Sequence, residues 1–227
     1  MFTSSVNVGI GAPWEIWRTQ TNERTIDLYA KNGGWGAYST EFVLVPDFNF
    51  GFSILTASAI GEGETFAQVY ILSDMIASTL LPSLYTVARD QAKANFAGRY
   101  VASNLNSSLT ITVDDQAGLR VIQWISNGTE VFDDLGLNET GTYIDFRLQP
   151  NFLYIGTEVG FTGTWQKLPT AVFHGSLDVN CLAWATVGDI AYGNVGIGEF
   201  VFEVDLTTGK ATSVQPKALR ITLERME

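Results

Sequence analysis

From Gly98 onward the chain keeps to short stretches of alternating apolar and polar residues. The candidates are Gly98 to Ala102, Ser108 to Asp114, Gly118 to Asn127, Gly141 to Gln149, Leu153 to Ile155, Phe161 to Lys167, Ala171 to Phe173, Ala183 to Thr186, Phe200 to Leu206 and Ala218 to Arg225. Short strands spaced near ten residues predict an antiparallel barrel or sandwich. A closed barrel of about eight strands either holds one small ligand or is filled by its own side chains. Asp205 to Lys210 reads as a hairpin turn, and the glycine-bearing stretch Gly188 to Gly198 as a flexible loop. That loop is no phosphate cradle, since no G-K-[ST] follows it.

The first hundred residues have a different rhythm. Trp14 to Arg18, Thr25 to Lys31, Tyr38 to Val45 and Gly51 to Ala57 alternate with period two and are joined by short loops, which predicts an antiparallel meander. Residues 62–97 then switch to helical spacing, with Thr65 as the N-cap and Phe66, Val69, Tyr70, Ser73, Ile76, Thr79 and Leu80 on one track. Pro82 lacks an amide hydrogen, so it should kink the helix or restart it as a second segment, Ser83 to Asn95. The expected architecture is α+β and mostly β. Residues 1–97 form a small antiparallel sheet with a kinked long helix, and residues 98–227 an antiparallel β-barrel.

Composition narrows the function. The net charge of −11 disfavours nucleic acid and anionic membranes as partners. No uninterrupted apolar run approaches a membrane span, and residues 1–7 lack the basic and apolar regions of a signal peptide, so a cytoplasmic protein is expected. Three sequons, at Asn106, Asn127 and Asn138, would suit a secreted protein, but with no signal they read as inheritance or accident. One cysteine, Cys181, excludes an internal disulfide, and together with one histidine, His174, it argues against a metal site. No cofactor is expected.

The chemistry-bearing stretch is Tyr29-Ala30-Lys31-Asn32-Gly33-Gly34-Trp35-Gly36-Ala37-Tyr38. It reads as a strand, a glycine-rich turn and a second strand. Lysine beside bare backbone amides can hold a carboxylate or an oxyanion, and it can equally blunt an exposed sheet edge. Lys31-Asn32-Gly33, followed by Gly34-Trp35-Gly36 and Tyr38-Ser39, resembles the K-[TS]-G box of serine β-lactamases and penicillin-binding proteins. Pro13-Trp14-Glu15-Ile16 before it and Leu44-Val45-Pro46-Asp47 after it agree, and the run is most similar to the fungal class-C-like branch. Asn32 replaces the usual hydroxyl residue of that box. The resemblance implies that the helix over 62–97 packs on the sheet. It also implies that Phe96-Ala97-Gly98-Arg99-Tyr100 opens an appended lipocalin-like barrel.

In that family a nucleophilic S-x-x-K and a basic Y-x-N stand upstream of the lysine strand. Only thirty residues precede Lys31 and neither motif is among them; S-x-x-K occurs nowhere in the chain. Two functions are consistent with this. In the first, the protein is a cofactor-free cyclase or isomerase that steers a hydrophobic natural-product intermediate by shape and hydrogen bonding, from a pocket between sheet and barrel. Its catalytic candidates are Lys31, Tyr38, Asp27 and Asp145, and its ligand-binding candidates are Trp17, Asn32, Trp35 and Trp124. In the second, the chain is a non-catalytic C-terminal module of a serine β-lactamase-like hydrolase whose nucleophile comes from elsewhere. A hydrophobic small molecule is the expected partner, and a homodimer is left open.

Overall fold

The first sheet is a meander of five antiparallel strands in sequence order: β1 (Val8–Ile10), β2 (Glu15–Thr21), β3 (Arg24–Trp35), β4 (Tyr38–Val45) and β5 (Phe50–Ala57). It is seen in a computed structural model that describes residues 8–21, 24–58, 62–136, 142–169 and 187–226. Alternation fixes the faces. Ala30 pairs with Val43 and Val43 with Phe52, so Ile26, Leu28, Ala30, Val43, Val45 and Ile54 share one face, and all six are buried. Lys31 pairs with Phe42 on the opposite face.

β3 does not stop at Lys31 as the glycines suggested. It runs through Asn32, Gly33 and Gly34 to Trp35, and the turn shrinks to Gly36 and Ala37, with Gly36 at φ +59°. The space left by Gly34 is used by the protein itself. A Cβ there would lie 2.5 Å from the Phe66 ring.

Phe66 belongs to α1 (Glu62–Phe96), a single helix of 35 residues that begins a turn earlier than Thr65 and carries Pro82 inside it. The segment expected to restart at Ser83 is therefore its continuation. Ser78 Oγ donates to the Met75 carbonyl (3.2 Å) and Thr86 Oγ1 to the Pro82 carbonyl (3.0 Å), so hydroxyls bond to backbone on both sides of the proline. Leu81 is buried against Ile26, Leu28, Ala30, Val43 and Val45, with Ala77 and Leu84 beside it. The far side of the helix exposes Ile71, Met75 and Val87. By length and composition only, the helix over Phe66–Phe96 holds an 18-residue window apolar enough to cross a membrane, contrary to the sequence expectation. The difference arises because averaging passes over interruptions such as Asp74 and Pro82.

The chain divides into two compact units, Met1–Asp90 and Gln91–Glu227, so the last turns of α1 belong with the second. That unit holds β6 (Gly98–Ala102), β7 (Ser107–Thr112), β8 (Leu119–Ser126), β9 (Thr129–Glu130), α2 (Val131–Asp134), β10 (Thr142–Ile155) and β11 (Glu158–Pro169). It continues with β12 (Ala191–Tyr192), β13 (Val195–Gly196), β14 (Glu199–Val204), β15 (Ala211–Pro216) and β16 (Leu223–Arg225). The strand order is β10-β11-β14-β15-β16-β6-β7-β8-β9, and β8 also pairs with β10. Eight strands thus close into an antiparallel ring. Its interior is occupied by Tyr100, Trp124, Phe146, Phe200 and Phe202, each 2% exposed or less. This is the filled form of a small barrel.

Two expected strands, Gly141 to Gln149 and Leu153 to Ile155, are one long strand, β10, with an irregularity between Pro150 and Tyr154. β15 was not anticipated, because its Ala-Thr-Ser-Val-Gln-Pro run has no strong alternation and ends in proline. The strands expected at Ala171 to Phe173 and Ala183 to Thr186 lie outside the described residues, as do His174 and Cys181. The end of the glycine loop is pinned rather than loose. Ile197 is buried, and the Gly163 amide donates to the Gly198 carbonyl at 2.7 Å. Arg225 closes the unit by donating to the carbonyls of Ala94, Asn95 and Ala97, which caps the end of α1.

Candidate functional site

The lysine box sits where β2, β3 and α1 meet within the first unit. Lys31 Nζ lies 2.5 Å from Glu15 Oε1. The Asn32 amide donates to Glu15 Oε2 (2.9 Å) and to Tyr70 OH (2.6 Å). Trp17 completes the group, its ring centroid 5.5 Å from that of Tyr70. Period two places Asn32 on the side of Ile26, Leu28 and Ala30, so its amide turns toward the helix. Burial pushes the Tyr70 phenol up, and the Glu15 and Glu41 carboxylates add to that effect. Lys31 is half exposed, so its bond to Glu15 stabilises the fold by no more than about 1 kcal/mol. In exchange it holds the ammonium in one place, where it could meet an incoming carboxylate or oxyanion.

Glu15 and Tyr70 were missed from sequence. Glu15 stands inside the Pro13–Ile16 run that carried the resemblance, and that was the available signal. Tyr70 looked like one more apolar residue of a helix.

The other candidates of this unit are placed differently. Asp27 receives two hydrogen bonds from Arg18, at 2.7 and 2.9 Å. The guanidinium holds its carboxyl below the usual aspartate range, which suits an ion pair better than a proton acceptor. Trp35 and Tyr38 face each other in register at the tip of the hairpin, 86% and 63% exposed. Trp17, by contrast, lines a cavity of about 420 Å³ between the sheet and α1, with Leu28, Val43, Phe52, Ser73 and Leu81.

Trp124 and Asp145 belong to the barrel. Trp124 is wholly buried among Phe132, Phe146 and Phe200. Asp145 lies at the closing seam, where β8 and β10 share only the pairs Arg120–Arg147 and Leu119–Leu148. Two arginines are thus set side by side, a destabilising arrangement unless neutralised. Asp145 Oδ2 takes Arg147 Nε at 2.5 Å, and its Oδ1 lies 3.2 Å from Arg120 Nε, an ion pair outside hydrogen-bonding geometry. Asp114 accepts both terminal nitrogens of Arg147, at 2.8 and 2.7 Å. This cluster is balanced, two acids against two bases.

The letters Y-x-N do occur once, at Tyr192-Gly193-Asn194, but there Tyr192 ends β12 and Gly193-Asn194 make the turn into β13 of the second unit. Among the described residues no group of three His, Cys, Asp or Glu side chains could hold a metal ion.

Comparison with known proteins adds to this geometry. A family model described as the beta-lactamase-like-like, C-terminal domain matches residues 88–227. The chain is similar to a beta-lactamase-like protein of Arthroderma benhamiae, 24% identical over 264 aligned positions, covering 96% of this chain and 42% of that protein. It is also similar to the probable hydrolase clz13 of Cochliobolus lunatus (25% identical, 95% of this chain, 37% of that one). A third relative is the probable hydrolase M10 of a Phoma species (24%, 95% and 38%). The chain therefore spans about two-fifths of the length of these relatives. No solved structure matches.

Proposed function

We propose, since this chain belongs to the family of β-lactamase-like C-terminal domains, that it furnishes the lysine-bearing wall of an acyl-transfer cleft in a β-lactamase-like hydrolase. The observation that carries this reading is the open face of the first sheet. Its helix side is buried, while the side shared by Lys31 exposes Tyr38, Phe42 and Leu55, with the Trp14 ring 6.3 Å from that of Phe42. A sheet needs cover on its apolar face, and Lys31 leaves the sheet on that face before its ammonium reaches the Glu15 carboxylate. Serine acylation needs a nucleophile, a base and oxyanion donors within reach of one another. Here Lys31 Nζ bonds to Glu15 and the Asn32 carbonyl, and Tyr70 OH accepts from Asn32. The nucleophile would come from a polypeptide segment bearing S-x-x-K.

The test is reconstitution. This chain alone should leave nitrocefin and p-nitrophenyl acetate at the buffer rate. Joined to a β-lactamase-like segment bearing an S-x-x-K serine, it should hydrolyse one of them, and Lys31→Ala should then lower turnover about a hundredfold, the usual cost of one oxyanion donor. Unchanged turnover with Lys31→Ala would overturn the reading.

The cavity beside Trp17 favours a second reading, a cofactor-free cyclase or isomerase acting on a hydrophobic natural-product intermediate. Walls of Trp17, Leu28 and Phe52 suit an apolar ligand held by shape, with no covalent step. Incubation with a polyene or quinone-methide precursor separates the two. A product mixture identical to that formed without protein counts against the second.

A further inference from the structure

Under the middle of α1 the first sheet buries a carboxylate that has one oxygen too many. Glu41 on β4 is 1% exposed, and its Oε2 accepts from Ser73 Oγ at 2.7 Å. Its Oε1 has no hydrogen-bond partner among the described residues. Two residues earlier on the same strand face, Ser39 is equally buried and its hydroxyl is also unpartnered. Buried polar atoms without partners are costly, and a native chain keeps few of them. Two on one strand face call for a specific cause.

The cavity supplies one. Its wall includes Ser73, the residue that bonds Glu41, and Val43, the next residue after Glu41 on that face of β4. Trp17, Leu28, Phe52 and Leu81 supply its apolar wall, and Arg18, Gln20 and Asp74 are among the polar residues that line the rest. A molecule in the cavity would thus find a patch of apolar side chains beside a hydroxyl backed by a carboxylate. The neighbouring charges do not neutralise Glu41. Lys31 is engaged by Glu15, Arg18 on the cavity wall is engaged by Asp27, and Asp74 on the helix side of the cavity adds a further negative charge.

The geometry points to a binding site for a small hydrophobic amine, its apolar body between α1 and the sheet and its ammonium at Ser73, with Glu41 as counter-ion. An ammonium carries only donors, which is what a surplus acceptor lacks. Hydrogen bonds to ionised groups are about twice as strong as neutral ones, and burial strengthens them further. A carboxylate ligand would face Glu41 as a like charge. The site shares its cavity with the cyclase reading above but requires no reaction, and it is independent of the hydrolase reading.

Burial raises the Glu41 carboxyl above its ordinary range, opposed by the Ser73 hydrogen bond. The titratable groups around it are Glu15 and Tyr70, with Asp74 and the Asp27-paired Arg18 on the adjoining cavity wall. Since the amine needs the ionised carboxylate, its affinity should rise with pH through the Glu41 titration.

The test is calorimetric titration of the purified 227-residue chain with 4-phenylbutylamine, 4-phenylbutanol and 4-phenylbutyrate. The amine should bind at least tenfold more tightly than the alcohol, and the acid should bind most weakly. Glu41→Gln, which keeps shape and removes charge, should bring amine and alcohol to similar affinity and remove the pH dependence. Ser73→Ala should weaken the amine while sparing the alcohol. Equal binding of amine and alcohol to the unaltered chain would overturn the amine site but leave the apolar cavity standing. Absence of binding by all three would overturn both. A preference for amine that survives Glu41→Gln would also overturn it.

Discussion

Trp124→Ala is expected to destabilise the barrel by about 3–5 kcal/mol, the range for removing a large buried aromatic. Trp124 is wholly buried, and its ring stands 5.2 Å from Phe200, 5.8 Å from Phe146 and 6.2 Å from Phe132. These rings are anchored in different strands and in α2, so they cannot close together over the space left behind. Trp124→Phe should cost much less. Among the described residues the buried indole Nε1 has no hydrogen-bond partner, and the smaller ring removes that donor along with some volume. Urea denaturation of both variants checks this. If Trp124 were the wall of an open ligand site, as its aromatic character suggested, alanine there would cost under about 1 kcal/mol.

Arg147→Ala should be nearly as damaging, about 3–5 kcal/mol, the cost of breaking a buried ion pair from one side. The guanidinium is 9% exposed and serves both Asp145 and Asp114. Its loss leaves the buried Asp145 with the Arg120 ion pair, and Asp114 with the Gln116 amide and the 3.9 Å approach of Arg120. The damage falls on the seam that closes the ring, where β8 and β10 share two residue pairs. Arg147→Met should recover little, because the two acids remain. Acid should reproduce part of the effect. The Arg147 hydrogen bonds hold the Asp114 carboxyl below its ordinary range. A depressed carboxyl contributes its full stabilisation above the unfolded aspartate value of about 3.9 and loses it as pH falls below that. Denaturation midpoints measured across that range should drop in the unaltered chain and flatten in Arg147→Ala.

Much of the fold could be read from residue order, because period-two and period-3.6 patterns report which side of an element is buried. The sheet over Glu15–Ala57, the helix that follows it and the closed barrel after Gly98 all come from such patterns. What could not be read is where local signals compete with packing. Gly33 and Gly34 looked like a turn, yet they remain in β3 because the Phe66 ring needs the space above Gly34. Pro82 looked like a break, yet packing of Leu81 on both strands' core residues carries the helix through. The lysine box was legible as a motif, and its partners Glu15 and Tyr70 were not, since they stand 16 and 38 residues from the groups they bond. Aromatic residues were the least legible. Trp17, Trp35 and Trp124 read alike in sequence, and they turn out to be a cavity wall, an exposed hairpin tip and a barrel core.

The central claim is that this polypeptide carries the lysine wall of an acyl-transfer cleft and no nucleophile of its own. Intact-mass analysis after incubation with a fluorophosphonate, and separately with benzylpenicillin, tests it most directly. The account predicts an unmodified mass in both incubations. One covalent adduct per chain, mapped to a serine and blocked by Lys31→Ala, would contradict it.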